Sequence, residues 1–194
     1  MISKEQYEYA AGLLKCEVAA LRAVQKVESS TIGGFLPTGL PVILFEGHVF
    51  WKYLKQFKMN PEDFVKGNED ILYKSWTKKY YKGGSAEWQR LYRAIQIHRE
   101  AALMSASWGM FQIMGFNYKT CNCKNVFSFV DKMSMNEYQQ LILFVYFIKS
   151  NPKLLKAIQN KDWKTFAYYY NGSGYKANKY DTKLESAYKS FLTA

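Results

Sequence analysis

The chain has 194 residues, a length that suits one domain able to bury a sizeable core without disulfide or metal staples. Its 48% hydrophobic and 18% aromatic content excludes a disordered chain, and 12 Gly with 4 Pro exclude a collagen-like or spacer sequence. Lys and Arg total 27 against 16 Asp and Glu, a net charge of +11, which draws the surface toward polyanions such as nucleic acid, acidic lipid or an acidic cell-wall polymer.

The elements are expected in the following order. Ser3 and Gln6 form a capping box that starts a helix at Lys4, running to about Leu14. Val18, Leu21, Ala23, Val24 and Val27 then give an apolar face at helical spacing, ending near Ser29 or Ser30 where Thr31-Ile32-Gly33-Gly34 breaks it. Val42-Ile43-Leu44-Phe45 reads as a short strand, enough for one hairpin or a minimal sheet. Val49, Phe50, Tyr53 and Leu54 mark a helix after Glu46-Gly47. Residues 59–84 are polar and Lys-rich, punctuated by Pro61, Gly67, Gly83 and Gly84; Trp76, Tyr80 and Tyr81 either plug this stretch onto the core or line a groove. Helical pattern resumes from Ser85 to about Met104, and Ser107 to Ile113 reads as a short buried helix. Helices follow at Met135–Lys149, Lys153–Asn160, Trp163–Tyr170 and Asp181–Phe191, with Asn171-Gly172-Ser173-Gly174 as a loop. The fold class is therefore mainly α, an α+β helical globule with one small β-hairpin, and the whole of 1–194 reads as one domain.

Two carboxylates stand out. Glu28 lies at the C-terminal end of an apolar helix, where the dipole gives an anion no help. Burial there raises a carboxyl pKa, as a general acid requires; the alternative is a solvated helix-end residue. Glu46 ends the strand and is placed to share a cleft mouth with Glu28, as paired carboxylates do in glycoside hydrolysis; the alternative is an ion pair. His48 and His98 come with no Ser or Cys nucleophile motif and read as structural, and Arg99 with Glu100 reads as a buried ion pair or network. The two histidines do not fall in a zinc-ligand spacing, so no metal and no cofactor is expected. Cys16, Cys121 and Cys123 read as free thiols. The aromatic runs around Trp108-Gly109 and at Tyr168-Tyr169-Tyr170 offer flat apolar faces with hydroxyl handles, which suit sugars as well as a core.

Glu17-Val-Ala-Ala-Leu21, Val27-Glu-Ser-Ser30, Gly34-Phe-Leu-Pro37, Ile43-Leu-Phe-Glu46 with His48, Ser105 through Asn117, Asp162-Trp163, Tyr170-Asn-Gly172 and Tyr180 through Leu184 together resemble the N-acetylmuramidase domain of bacteriophage endolysins and related bacterial proteins. The resemblance spans about residues 12–192 and implies a lysozyme-like plan. It also implies cleavage of the β-1,4 bond between N-acetylmuramic acid and N-acetylglucosamine. On that resemblance Glu28 is the catalytic acid, Trp108 and Gln112 belong to the cleft wall and Tyr170 and Asn171 to the substrate side; the residues' own reading adds Glu46 as a partner carboxylate, Tyr175 on the substrate side, and His48, Arg99 and Glu100 in support. The implied partner is bacterial peptidoglycan, with no nucleic acid and no membrane insertion, and the enzyme is expected to be a monomer. It would be made in a host cytoplasm without a signal peptide and act on the wall after release. A lytic transglycosylase and a non-catalytic wall-binding protein are the competing expectations, with a nucleic-acid binder behind them.

Overall fold

A computed structural model describes residues 1–29 and 33–192. The expected helix end at Ser30 and the breaker pair Thr31-Ile32 lie outside the described residues. The described chain is mostly helical, with one small sheet. Helix α1 is Lys4–Leu14, opened by the Ser3/Gln6 capping box, and α2 is Val18–Glu28. Strand β1 (Ile43–Phe45) leads into α3 (Gly47–Gln56), for which Glu46 is the N-cap position. After a long connection come α4 (Ser85–Ile97), α5 (Arg99–Met104), β2 (Ala106–Trp108) and β3 (Ile113–Met114). The C-terminal part is α6 (Val126–Met135), α7 (Glu137–Ser150), α8 (Pro152–Asn160), α9 (Trp163–Asn171) and α10 (Tyr180–Leu192).

Three expectations are corrected. The helix expected over Ser85–Met104 is two helices, because His98 takes an extended backbone and turns its Nδ1 to accept from Ala101 N at 3.1 Å, capping the second. The helix expected over Ser107–Ile113 is a β-hairpin: Gly109 and Gln112 both adopt positive φ, which a helix forbids, and Gly109 N donates to Val42 O at 2.8 Å. Strand β1 therefore pairs with β2 (Ile43 opposite Trp108) and β2 with β3, in an antiparallel order β1-β2-β3. The helix expected from Met135 begins after Asn136, whose side chain accepts from Gln139 N, while α6 precedes it under its own Asn125/Ser128 capping box.

Helix α7 carries the centre of the core, burying Leu141, Leu143, Phe144, Val145 and Ile148. Its one fully buried polar residue, Gln140, joins three elements. Oε1 accepts from Met110 N at 2.8 Å, and Nε2 donates to Gly34 O and Met133 O at 3.2 and 2.9 Å. Gly34 and Gly109 press so closely on that amide that a Cβ at either would collide with it.

The long connection over residues 57–84 has little regular structure, a single 3-10 turn at Pro61–Phe64, yet it is firmly tied to α4. Arg90 donates to Asp70 O through Nε and Nη2, and Arg93 grips the Asp70 carboxylate at 3.0 and 2.9 Å and Gly67 O at 3.0 Å. Glu87, completely buried, accepts from the backbone of Lys82 and Gly83 with one oxygen, and from Phe45 N and Arg90 Nη1 with the other. A buried ion pair survives only when its remaining hydrogen-bonding capacity is met, and Glu87–Arg90 fulfils that condition.

Candidate active site

The C-terminus of α2 delivers Glu28 to a cleft of about 290 Å³, where Phe111, Gln112, Ile113, Met114, Asn117, Phe147, Tyr170 and Asn171 form the rest of the lining. Helix α2 buries Ala20, Leu21, Ala23 and Val24, and α10 packs along it, so its last turn is held in place. The β2–β3 turn supplies one wall and the end of α9 the other. Asn171 Nδ2 lies 3.2 Å from both Glu28 oxygens. Burial pushes the Glu28 carboxyl up from 4.5 to about 7, against the Asn171 hydrogen bond, which acts to lower it. The Oδ1 of Asn171 is buried and has no hydrogen-bond partner among the described residues.

Beneath the cleft lies an aromatic stack. Phe111 and Phe144 are parallel with ring centres 3.9 Å apart, and Tyr170 meets Phe144 edge-on at 5.6 Å. The Tyr170 hydroxyl donates to Phe111 O at 2.8 Å, tying α9 to the hairpin wall. Burial, and then the nearby Glu28 carboxylate, push that hydroxyl well above its ordinary pKa, so it remains protonated.

Gln112, Tyr170 and Asn171 are thus gathered around Glu28 as the sequence suggests. Gln112 accepts from Ser107 Oγ at 2.7 Å and donates to Gly109 O at 2.8 Å, so its amide also fastens the turn. Trp108 and Tyr175 are corrections. Trp108 is fully buried, its indole N–H donating to Leu103 O, and Tyr175 is 8% exposed; neither offers a face to a ligand.

Arg99 and Glu100 are also corrected, because no ion pair joins them. Arg99 is exposed, with its guanidinium 5.1 Å from the Phe127 ring centre. The buried pair of this region is Glu87–Arg90.

Glu46 is not among the residues lining the Glu28 cleft. Its Oε1 accepts from the Tyr81 hydroxyl at 2.6 Å, and its Oε2 stands 3.4 Å from His48 Nδ1 without a hydrogen bond. The cleft residues that sequence reasoning did not single out are Ile113, Met114, Asn117 and Phe147. The one signal for them is that Ile113, Met114 and Asn117 lie within the Ser105–Asn117 segment. No cluster of His, Cys, Asp and Glu suited to a metal occurs among the described residues.

A helical domain with a small antiparallel sheet holds, in the cleft at their junction, one half-buried acid beside an amide, the arrangement a lysozyme-like glycosidase would use. The family follows directly. The Muramidase (N-acetylmuramidase) family model matches residues 17–192, and the chain belongs to that family of peptidoglycan-directed glycoside hydrolases. The crystal structure of Burkholderia AP3 phage endolysin is similar to this chain, with 39% identity and a TM-score of 0.90 over 98% of this chain and 71% of that one. No curated protein matches the chain. Among the described residues no helix is long and apolar enough to cross a membrane.

Proposed function

We propose that the protein is an N-acetylmuramidase, cutting the β-1,4 bond between N-acetylmuramic acid and N-acetylglucosamine with Glu28 as the general acid. The observation that carries this is the Glu28 carboxyl at the end of α2, set in the cleft beside the Asn171 amide, with burial raising its pKa to about 7. Glu28 gives its proton to the leaving glycosidic oxygen as the bond to the anomeric carbon breaks. Water adds to that carbon, and its proton restores the carboxyl. Once Glu28 is ionised, the Asn171 amide steadies the carboxylate. Glu46 serves as a brace for Tyr81 in this reading, and not as a second catalytic carboxylate.

A second reading rests on one specific observation: among the described residues lining the cleft, Glu28 is the one carboxyl. A lone acid also serves a lytic transglycosylase, in which a hydroxyl of the same sugar replaces water and an anhydro ring forms. In either case Glu28→Gln keeps the shape and removes the proton source. Release of soluble fragments from purified peptidoglycan should fall by at least about 100-fold, with the far-UV circular dichroism unchanged. Near-normal release would reject Glu28 as the acid.

A further inference from the structure

The segment from Lys74 to Lys82 contains four lysines and no acidic residue, interleaved with Trp76, Tyr80 and Tyr81. Trp76 is 59% exposed, a large apolar surface that folding leaves in water. Together with Trp51, Tyr73 and Tyr80 it lines an open groove of about 530 Å³, whose residues are separate from those around Glu28. Lysine ammoniums accompany these rings: Lys74 lies 5.2 Å from the Trp51 ring centre, Lys78 5.8 Å from Trp76, and Lys79 5.1 Å from Tyr80. Glu62 and Glu69 also line the groove, and Glu62 is held by Lys74 at 2.6 Å. Lys78, Lys79 and Lys82 make no ion pair among the described residues.

This surface is set in place before any ligand arrives. The Tyr81 hydroxyl is fixed on Glu46 at 2.6 Å, the Tyr73 hydroxyl accepts from Gly47 N at 3.2 Å, and the backbone of Lys82 and Gly83 is clasped by buried Glu87. A surface already ordered loses little conformational freedom on binding.

We infer that the Lys74–Lys82 strip is a second, non-catalytic docking surface for peptidoglycan strands, separate from the Glu28 cleft. The inference rests on peptidoglycan being the substrate. The exposed Trp76 indole face and the half-buried tyrosine rings beside it match the apolar faces of pyranose rings, and the unpaired lysines match the carboxylates of lactyl groups and peptide stems. Glu46 then has a role consistent with its position, as the residue that fixes Tyr81 and with it the strip.

The test uses the full chain silenced by Glu28→Gln and sedimented with purified insoluble peptidoglycan. Adding Trp76→Ala and Lys78→Ala should weaken retention by at least about tenfold, with an unchanged melting temperature. Amidating the free carboxylates of the peptidoglycan should weaken retention of the Glu28→Gln chain more than that of the triple variant. Should Trp76→Ala disturb folding, Lys78→Glu at the same exposed strip supplies the comparison and should weaken retention likewise. Unchanged retention in the folded variants would overturn the inference. Failure of the muramidase reading would show separately, as wild-type protein that releases no fragments.

Discussion

Glu28 has a folded pKa of about 7 against an ordinary value of 4.5, with burial as the first cause. Between those values the folded chain binds more protons than the unfolded one, so stability falls as pH rises. The contribution is fully present below about pH 4.5 and lost as pH passes through about 7. Glu28→Gln removes the cost of ionising a buried acid. Its melting temperature should exceed that of the wild type at pH 8, by an amount equivalent to at most about 3 kcal/mol, and match it near pH 4. Calorimetry across that range checks this; a variant less stable at pH 8 would contradict it. The same proton governs catalysis, so activity should decline as pH rises through about 7. The thiols offer a separate test at this scale. Cys16, Cys121 and Cys123 are free, and burial pushes Cys16 up to about 11 and Cys121 to about 12, so the thiolate is scarce at neutral pH. Thiol titration of the unfolded, unreduced chain should find all three; a count of one would indicate a disulfide.

At the scale of elements, Glu87 on α4 decides how the 57–84 connection is held. Glu87→Ala strands the Arg90 guanidinium in the core and frees the backbone at Lys82, Gly83 and Phe45, and should cost about 3–5 kcal/mol in chemical denaturation. A loss under about 1 kcal/mol would mean that the pair is incidental. The same connection shows where local reasoning ends. The α1 boundary is legible because Ser3 and Gln6 are three residues apart and cap it by themselves. The order of residues 59–84 comes from Arg90, Arg93 and Glu87, which lie beyond the segment and bind its backbone, something no local pattern carries. The Ser107–Ile113 hairpin is hidden for a similar reason. Its residues are nearly all buried, so strand alternation is absent, and its partner strand lies some sixty residues earlier. Helix α6 did leave a signal in Asn125 and Ser128, whose spacing forms a capping box. Of the site, Glu28 is legible from its place at the end of an apolar helix. The Asn171 contact, spanning 143 residues, enters only through the resemblance. Burial of Trp108 could not be read from a residue type that suits a cleft wall and a core equally well.

Across the whole molecule the charge of +11 has no counterpart in the cleft, whose one charged side chain among the described residues is Glu28. Its effect should therefore appear on the polyanionic wall and not in the chemistry. Lysis of whole cells should fall with added salt more steeply than cleavage of short soluble fragments, as the screening length shortens from about 8 Å at physiological ionic strength to about 3 Å at 1 M. Parallel salt curves would remove long-range attraction from the account. The central claim, that one buried acid in this cleft drives hydrolysis of the glycan, meets its most direct test in the chemistry of the product ends. Purified peptidoglycan is digested by the wild type and by Glu28→Gln, reduced with borohydride, and read by mass spectrometry. The account predicts reducible N-acetylmuramic acid ends from the wild type and almost none from the variant; anhydromuramic ends, or equal yields from both proteins, would contradict it.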